Sequence, residues 1–294
     1  MVLLKPADLA VYKAKTSGRN RYSYYSEDLS KRAHQRADMI HALNEAIEAG
    51  DQFELHYQPK VSSSSRQMVA AEALLRWKSL IFGNVSPIKF IPLAEESGQI
   101  IAIDDWVIAQ GCRDMAALQE AGIWLNHLSM NVSNIQLRNH KLIDTLLGSV
   151  KRNGLRALQI ELEITEGYIA SDTKQAISFL HELRAQGFQL TIDDFGTGYS
   201  SMSYLQKLPF TRLKIDKSCV DGLPNDKDSV SITRAILGLA KAFELANAAE
   251  GVERENQFEF LQREHCDEIQ GYYFAKSMPL RELQEYFHQS VSQV

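Results

Sequence analysis

From residue 54 onward, short β-rich runs alternate regularly with amphipathic stretches, and this alternation constrains the fold of the chain more than any other feature. The stretches 102–122, 173–187 and 229–244 carry apolar residues at spacings of three and four, which is typical of helices. Gly122 and Gly187 stand where two of these helices are predicted to end. A repeat of strand, helix and strand indicates parallel strands joined by crossover helices. The predicted strands cover residues 53–61, 68–77, 127–133, 158–166, 189–194, 211–216, 244–252 and 267–274.

Strands and helices in this order predict an α/β fold of the TIM (β/α)8 barrel type, which forms a single domain of about 250 residues. The first two strands are an exception, because only the short segment SSSSRQ (62–67) joins them. Such a short connection fits a hairpin and not a crossover helix. The sequence therefore predicts a modified TIM barrel with one antiparallel strand.

Polar residues occur near the C-terminal ends of the predicted strands, where the loops of a parallel barrel meet and where such barrels carry their active sites. Solvation of loops explains one or two such residues, but not charges within the otherwise apolar runs ELEITE, IDD, LKID and AAEGVE. The residues concerned are mostly carboxylates, with amides, a lysine and an arginine among them: Glu72, Arg76, Asn131, Glu163, Glu166, Asp193, Asp194, Lys214, Asp216, Glu250, Glu253 and Gln270.

Several carboxylates that converge on one barrel mouth repel one another unless cations neutralise them. Oxygen ligands without converging His or Cys favour Mg²⁺ or Mn²⁺ over Zn²⁺. The number of carboxylates indicates two ions, an arrangement that serves the hydrolysis of phosphate esters. In such a site Lys214 would orient the attacking water or the phosphoryl oxygens, and Arg76 would bind a phosphate through two N–H groups. These residues predict metal-assisted phosphoester hydrolysis.

The composition narrows the choice of partners and compartment. The formal net charge of −5 on 294 residues argues against non-specific binding to nucleic acid or to an anionic membrane. The three cysteines are unclustered, so they suggest neither a disulfide framework nor a zinc ribbon. Charged residues interrupt the N-terminal apolar run, and no stretch is long enough for a membrane span. We therefore expect a cytoplasmic protein without a nucleic-acid or membrane partner.

Short motifs follow one another along residues 35–290: YQPK (57–60), EALLRW (72–77), FIPLAEESG (90–98), NVS..Q (131–136), ELEITE (161–166), DDFGTGYSS (193–201), LKIDKS (213–218), AEGVE (249–253) and CDEIQGYYFAK (266–276). Together they resemble the EAL-domain family of cyclic di-GMP phosphodiesterases. The resemblance implies hydrolysis of cyclic di-GMP to linear pGpG in a modified TIM barrel. It also implies dependence on two Mg²⁺ or Mn²⁺ ions and inhibition by Ca²⁺.

The resemblance further implies roles for individual residues. The metal-ligand positions of the family match Glu72, Asn131, Glu163, Asp193 and Asp194, and Glu250 lies near the second ion. Lys214 and Glu250 match residues that hold the hydrolytic water, and Glu72 is grouped with them as catalytic. The substrate-lining positions match Gln58, Leu74, Arg76 and Gln270. Glu166 matches the residue that holds the DDFGTGYSS loop, and Asp216 and Glu253 match supporting acids.

The first residues carry a second resemblance. PADLAVYKAKTSGRNRY is similar to the last helix and strand of a GGDEF (diguanylate cyclase) domain, but the chain has no Gly-Gly pair for that domain's catalytic loop. Residues 1–30 are therefore predicted to be a GGDEF remnant without cyclase activity. Residues 31–51 are predicted to form a linker helix, and residues 52–290 the EAL domain.

Other functions are open to a chain of this kind. An EAL domain can serve as a catalytically idle cyclic di-GMP receptor, or as an interaction module that uses only its surface. Another metal-dependent barrel enzyme would account for the carboxylates but not for the series of motifs. The complete set of ligand positions favours an active phosphodiesterase, and the family resemblance implies a homodimer.

Overall fold

The computed structural model describes residues 26–165, 167, 173–196, 205 and 207–291, together with residues 11, 20, 22 and 24. The chain divides into two compact units. One contains the residues up to Phe53 and Trp77–Gln99, and the other contains Glu54–Arg76 and the residues from Ile100 onward. Among the described residues, no helix combines the length and the apolar character that crossing a membrane requires.

The described strands belong to one sheet, and they are β1 (Phe53–Ser62), β2 (Met68–Ser79), β3 (Gly83–Val85), β4 (His127–Asn131), β5 (Ile160–Thr165), β6 (Gln189–Phe195), β7 (Arg212–Ile215), β8 (Ala246–Ala249) and β9 (Glu268–Gln270). Strands β2, β4, β5, β6, β7, β8 and β9 pair in this order, and each pair is parallel. Strand β1 pairs with β9 in the antiparallel direction and also with β2, which closes the barrel. The predicted TIM-type barrel with one antiparallel strand is confirmed.

Helices connect most of the parallel strands, and the helices longer than one turn are α1 (Glu27–Ala49), α2 (Pro87–Ser97), α3 (Ile100–Glu120), α4 (Leu142–Arg152), α5 (Thr173–Ala185), α7 (Lys227–Ala242), α8 (Glu255–Arg263) and α9 (Leu280–Val291), with the single turn α6 at Lys217–Val220. Helices α3 and α5 end two residues before Gly122 and Gly187, as the sequence predicts. Both glycines have positive φ, 79° and 95°, which an L side chain rarely adopts.

The unit that contains Trp77 has its own apolar centre. The Trp77 side chain is buried, and its ring packs edge-on against Phe90 of α2, with 5.4 Å between the ring centroids. The short strand β3 pairs antiparallel with the end of β2, an element that the alternation pattern did not predict.

Helix α1 overlaps the predicted linker helix but begins earlier, because Ser26 caps it by accepting a hydrogen bond from the Leu29 N–H. Most of residues 1–25 lie outside the described residues, so the GGDEF remnant stays a prediction.

Strands β8 and β9 differ most from the predicted ranges, since each is five residues shorter. Strand β9 stops at Gln270, because the carbonyl of Gly271 accepts hydrogen bonds from the N–H groups of Phe274 and Ala275 in a turn. Strand β8 is limited on both sides by residues of positive φ, Glu244 at 56° and Gly251 at 71°. At the end of β9 and at both ends of β8, apolar residues continue beyond the extended part of the backbone. The hydrophobic pattern therefore predicts strands that are too long.

The strands separate apolar from polar residues by their alternation. In β5, Ile160, Leu162 and Ile164 share one face, and Glu161 and Glu163 share the other, although all five are buried. The lysine of β1, Lys60, contacts both glutamates, although β1 and β5 do not pair. The glutamate face of β5 therefore lines the interior of the barrel, and the apolar face lies on the outside of the barrel.

Candidate active site

The candidate residues come from neighbouring strands and form a ring inside the barrel, and the tilt of the strands sets their positions along the chain. Glu163 lies opposite Thr191 in the sheet, Thr191 opposite Arg212, and Lys214 opposite Ala248. Asp193 lies two residues beyond Thr191, and Glu250 lies two residues beyond Ala248, which is the stagger of tilted strands. Because side chains alternate with a period of two, this offset keeps every candidate on the inner face. The ring contains Glu163, Asp193, Lys214, Glu250 and Gln270.

Lys214 lies at the centre of the carboxylates. Its Nζ is 2.8 Å from Glu163 Oε2, 3.1 Å from Asp193 Oδ1, 3.2 Å from Glu250 Oε2 and 3.3 Å from Glu72 Oε2. The ammonium is almost completely buried. Burial alone would lower the pKa of Lys214, but the four carboxylates outweigh it and raise that pKa well above its usual value.

Amide side chains bind the carboxylate of Glu72. Asn131 donates to Glu72 Oε1 at 2.9 Å, and Gln270 donates to Glu72 Oε2 at 2.7 Å. The amide nitrogen of Gln270 also donates to Gln58 Oε1 at 2.8 Å, and Gln58 donates to the carbonyl of Ala275 at 3.1 Å. The structure therefore joins the predicted site residues Glu72, Asn131, Gln58 and Gln270 into one hydrogen-bonded group.

The adjacent acids Asp193 and Asp194 face the same site because of a bulge. The pairing of β6 with β7 shifts register between Ile192 and Phe195. Asp194 has a φ of 57°, and its N–H donates to Asp193 Oδ1 at 2.9 Å. The predicted strand ends at Asp194, whereas strand β6 continues to Phe195 and carries the irregularity within it. A bulge of this kind lets consecutive side chains point to one side.

A second carboxylate group adjoins the first. Asp194, Asp216 and Glu250 each offer an oxygen, and these atoms all lie within 4.8 Å of one another. Asp216 also caps α6, where its Oδ1 accepts a hydrogen bond from the Ser218 N–H at 2.9 Å. Glu250 belongs to both groups, because it also contacts Lys214. The two groups are therefore continuous through Glu250.

The carboxylates carry more negative charge than their neighbours balance. Burial raises the pKa of Glu72 and of Asp193, and Glu163 adds to both increases. Burial raises the pKa of Glu250 to about 7, with Asp193 and Glu72 adding to the increase and Lys214 opposing it. Glu163 behaves differently, because Lys214 and Lys60 overcome the effect of burial and hold its pKa at about 2. Additional positive charge at this place would be favourable.

The donor set fits divalent cations. It consists of carboxylate oxygens with the amide of Asn131, and the described residues include no histidine or cysteine among the groups that contact Lys214 or Glu72. Hard ions such as Mg²⁺ and Mn²⁺ prefer oxygen ligands of this kind. The cluster of Asp194, Asp216 and Glu250 is an arrangement that could hold a metal ion.

Arg76 and Leu74 lie on β2, beyond Glu72. The guanidinium of Arg76 donates to Ser277 Oγ at 2.7 Å and to the carbonyl of Leu75 at 2.9 Å. Burial lowers the pKa of Arg76 from its usual value. Arg76 and Leu74 are both half-buried, which leaves part of each side chain accessible at the end of β2.

One predicted supporting acid, Glu253, does not join the ring. Glu253 forms a surface ion pair with Lys217 instead of contacting the carboxylates, because the chain has already turned away at Gly251. Glu166 and most of the DDFGTGYSS loop lie outside the described residues, so the interaction between them stays a prediction.

The sequence analysis missed three buried polar residues that adjoin the ring. Lys60 Nζ donates to Glu163 Oε1 at 2.6 Å and to Ser129 Oγ at 2.7 Å, and lies 3.4 Å from Glu161 Oε1. Lys60, Ser129 and Glu161 each expose about 1 % or less of their surface. The available signal was the alternation in YQPK, which puts Lys60 on the same face as Gln58.

Comparisons with known proteins identify the family of this chain. The family model of the EAL domain matches residues 40–277. Among curated proteins, the chain is 39% identical to the cyclic di-GMP phosphodiesterase NbdA of Pseudomonas aeruginosa over 284 residues, which cover 97% of this chain and 36% of NbdA. It is 38% identical to the bifunctional diguanylate cyclase/cyclic di-GMP phosphodiesterase MucR of the same organism, over 96% of this chain and 41% of MucR.

The fold is also similar to that of a solved structure. The PaMucR phosphodiesterase in its c-di-GMP complex superposes with a TM-score of 0.79 at 38% identity, over 84% of this chain and 99% of that one. The fold and the site define a (β/α)8-type barrel with a carboxylate centre at the ends of its strands. The chain belongs to the EAL domain family. It spans less than half the length of the two curated relatives, NbdA and MucR.

Proposed function

We propose that this chain is a metal-dependent phosphodiesterase that hydrolyses cyclic di-GMP to linear pGpG. The observation that carries the proposal is the contact of one buried ammonium, Lys214, with the carboxylates of Glu72, Glu163, Asp193 and Glu250. An arrangement with this excess of buried carboxylate is costly for stability, so a catalytic role accounts for it better than a structural one. The names of NbdA and of the PaMucR complex support the choice of substrate.

Two divalent ions, Mg²⁺ or Mn²⁺, would neutralise the carboxylates and stabilise charge on the phosphoryl oxygens. The residues proposed to hold them are Glu72, Asn131, Glu163, Asp193, Asp194 and Glu250. Ca²⁺ is proposed to inhibit, because it is larger and accepts looser coordination than a site built for Mg²⁺ provides. Asp216 is proposed to support the same ions, because its oxygen lies within 4.8 Å of those of Asp194 and Glu250.

The side chains of the site have distinct proposed roles in the reaction. Lys214 donates N–H groups toward the centre of the ring, where it would orient the hydrolytic water and stabilise developing negative charge. Glu250 would bind that water together with Lys214, since its Oε2 lies 3.2 Å from Lys214 Nζ. Arg76 is proposed to bind a substrate phosphate, with Gln58, Leu74 and Gln270 lining the substrate. These contacts would hold the scissile bond against the water.

The alternative function, a catalytically idle cyclic di-GMP receptor, is not favoured. Every ligand position of the family is occupied by a residue able to bind a metal, namely Glu72, Asn131, Glu163, Asp193 and Asp194. The variant Glu72→Ala separates the two functions, because it removes a ligand that Asn131 and Gln270 hold in place. We expect the variant to remain folded and to lose hydrolysis of cyclic di-GMP. Activity equal to the wild type would contradict the metal assignment.

The assembly and the location of the protein are also proposals. A homodimer is proposed from the family resemblance, and a cytoplasmic location from the composition of the sequence. Cyclic di-GMP is the proposed partner, and we propose neither a nucleic-acid nor a membrane partner for this chain.

A further inference from the structure

Lys60 is a fully buried cation that the proposed mechanism does not use. It stands on β1 and is 0% exposed, with contacts to Ser129, Glu161 and Glu163. Buried ion pairs contribute little to stability, and apolar residues of similar volume often replace them without loss. Stability alone therefore gives no reason for a lysine at this place.

The contacts of Lys60 point to the carboxylate of Glu163. Lys60 Nζ lies 2.6 Å from Glu163 Oε1, and Lys214 Nζ lies 2.8 Å from Glu163 Oε2. Each carboxylate oxygen is thus held by a different ammonium, and the two lysines come from different strands of the barrel. Two such bonds fix both the position of the carboxylate and the rotation of its plane.

Lys60 reaches the ring only through Glu163. Lys214 contacts Glu72, Asp193 and Glu250 as well, whereas the polar contacts of Lys60 within the described residues are Ser129, Glu161 and Glu163. Lys60 therefore lies on the side of Glu163 away from the other carboxylates of the ring.

Other buried groups hold Lys60 itself in place. Lys60 donates to Ser129 Oγ at 2.7 Å, and Ser129 donates to Glu161 Oε1 at 2.7 Å. The second oxygen of Glu161 accepts a hydrogen bond from Arg212 Nε at 2.8 Å. A connected set of bonds thus runs from β7 through β5 and β4 to β1. It fixes the lysine before any ligand binds.

We propose that Lys60 is a positioning residue, which holds Glu163 in the orientation that a divalent ion requires. This inference rests on the proposed function, because it takes Glu163 as a metal ligand. Hydrogen bonds to metal-ligating groups commonly contribute about 10- to 100-fold to metal affinity. Positioning predicts that loss of Lys60 weakens metal binding. Simple charge repulsion predicts the opposite, because removing a cation next to the site would strengthen binding of another cation.

The experiment is a calorimetric titration of Mn²⁺ alone into chelator-treated protein. Three variants are compared with the wild type: Lys60→Met, which keeps the length of the side chain; Ser129→Ala, which keeps the charge but removes the hydroxyl partner; and Lys151→Met, which removes an exposed lysine of α4. We expect Lys60→Met to bind Mn²⁺ about 10-fold or more weakly. Ser129→Ala should bind several-fold more weakly, and Lys151→Met should match the wild type.

The outcomes distinguish failure of the positioning role of Lys60 from failure of the proposed function. Unchanged or tighter Mn²⁺ binding by Lys60→Met, with wild-type hydrolysis, would overturn the positioning role and leave the proposed function intact. A wild type that binds no Mn²⁺ and leaves cyclic di-GMP intact would overturn the proposed function itself. If Lys60→Met does not fold, Ser129→Ala decides, because unchanged Mn²⁺ affinity in that variant contradicts a role for the held ammonium. Circular dichroism establishes that each variant is folded.

Discussion

Lys214 donates to Glu163 Oε2 at 2.8 Å, although the two residues stand on β7 and β5, which are separated in the sheet by β6. The side chain of Lys214 therefore crosses part of the barrel interior to reach its partner. The ammonium links acids of β2, β5 and β6 with Glu250 of the loop after β8, and its contact with Glu72 of β2 forms only when the barrel closes. Folding and assembly of the site are thus the same event.

The first prediction concerns the charge of Lys214. In Lys214→Met, four carboxylates lose their shared cation, and the free energy of unfolding of the metal-free protein should fall by about 3 kcal/mol or more. Mn²⁺ should then raise the melting temperature more in the variant than in the wild type, because it replaces the lost positive charge. Thermal unfolding in chelator and in Mn²⁺ measures both effects. An equal Mn²⁺ shift in the two proteins would contradict the prediction.

The second prediction concerns pH. The pKa of Glu250 in the folded protein is raised to about 7, so the folded state binds this proton more tightly than the unfolded state does. The free energy of unfolding of the metal-free protein should therefore fall as the pH rises from about 4.5 to about 7, and Glu250 should then contribute no further change. Glu250→Gln should remove on the order of 3 kcal/mol of this decrease.

Urea unfolding in the presence of chelator, repeated across this pH range, measures the effect. The control is Glu259→Gln, which changes an exposed glutamate of α8. The two variants should differ in the slope of stability against pH. The same slope in both would mean that Glu250 does not hold its proton in the folded state.

The third prediction concerns the loop after β9. A Cβ on Gly271 would lie 2.0 Å from the carbonyl oxygen of Val252, which is backbone and cannot move aside easily. Gly271→Ala should therefore destabilise the protein by about 2 kcal/mol or more, and it should displace Gln270 from Glu72. The control is Gly238→Ala in α7, where a Cβ meets nothing within 4 Å. That substitution should stabilise the protein by up to about 1 kcal/mol. Chemical denaturation measures the free energy of unfolding of both variants. Equal changes in the two variants would contradict the close contact at Gly271.

The fourth prediction concerns the orientation of Arg76. Ser277 Oγ accepts a hydrogen bond from Arg76 at 2.7 Å, so Ser277→Ala should loosen the guanidinium without touching the carboxylates. We expect KM for cyclic di-GMP to rise about 5-fold with little change in kcat, as for the loss of about 1 kcal/mol of hydrogen bonding. Ser290→Ala serves as the control, since Ser290 bonds the carbonyl of Phe287 in α9. A fall in kcat at unchanged KM would instead place Ser277 in the chemistry.

Much of the site could be predicted because two simple rules act together. Alternation within strands and the meeting of strand ends in a parallel barrel are enough to bring Glu163, Asp193 and Lys214 together. These rules use only local pattern and fold class. They apply to β5, β6 and β7, which are parallel and regular up to the site.

The parts of the site that could not be predicted depend on strand register and backbone turns, which a single sequence does not display. The bulge at Asp194 follows from the register of β6 against β7, which the closed barrel sets as a whole. Lys60 was missed because β1 is antiparallel, so a residue late in that strand lies deeper in the barrel and not at its mouth. Glu253 stands apart from the ring because Gly251, with its positive φ, turns the chain away after Glu250.

The central claim is that the ring around Lys214 hydrolyses cyclic di-GMP with the help of divalent ions. The most direct measurement is the rate of hydrolysis by chelator-treated protein as Mn²⁺ is added back, with products separated by chromatography and identified by mass. We expect no product without Mn²⁺, and linear pGpG at a rate that saturates as Mn²⁺ is added. Product formation at an undiminished rate in excess chelator, or intact cyclic di-GMP at saturating Mn²⁺, would contradict it.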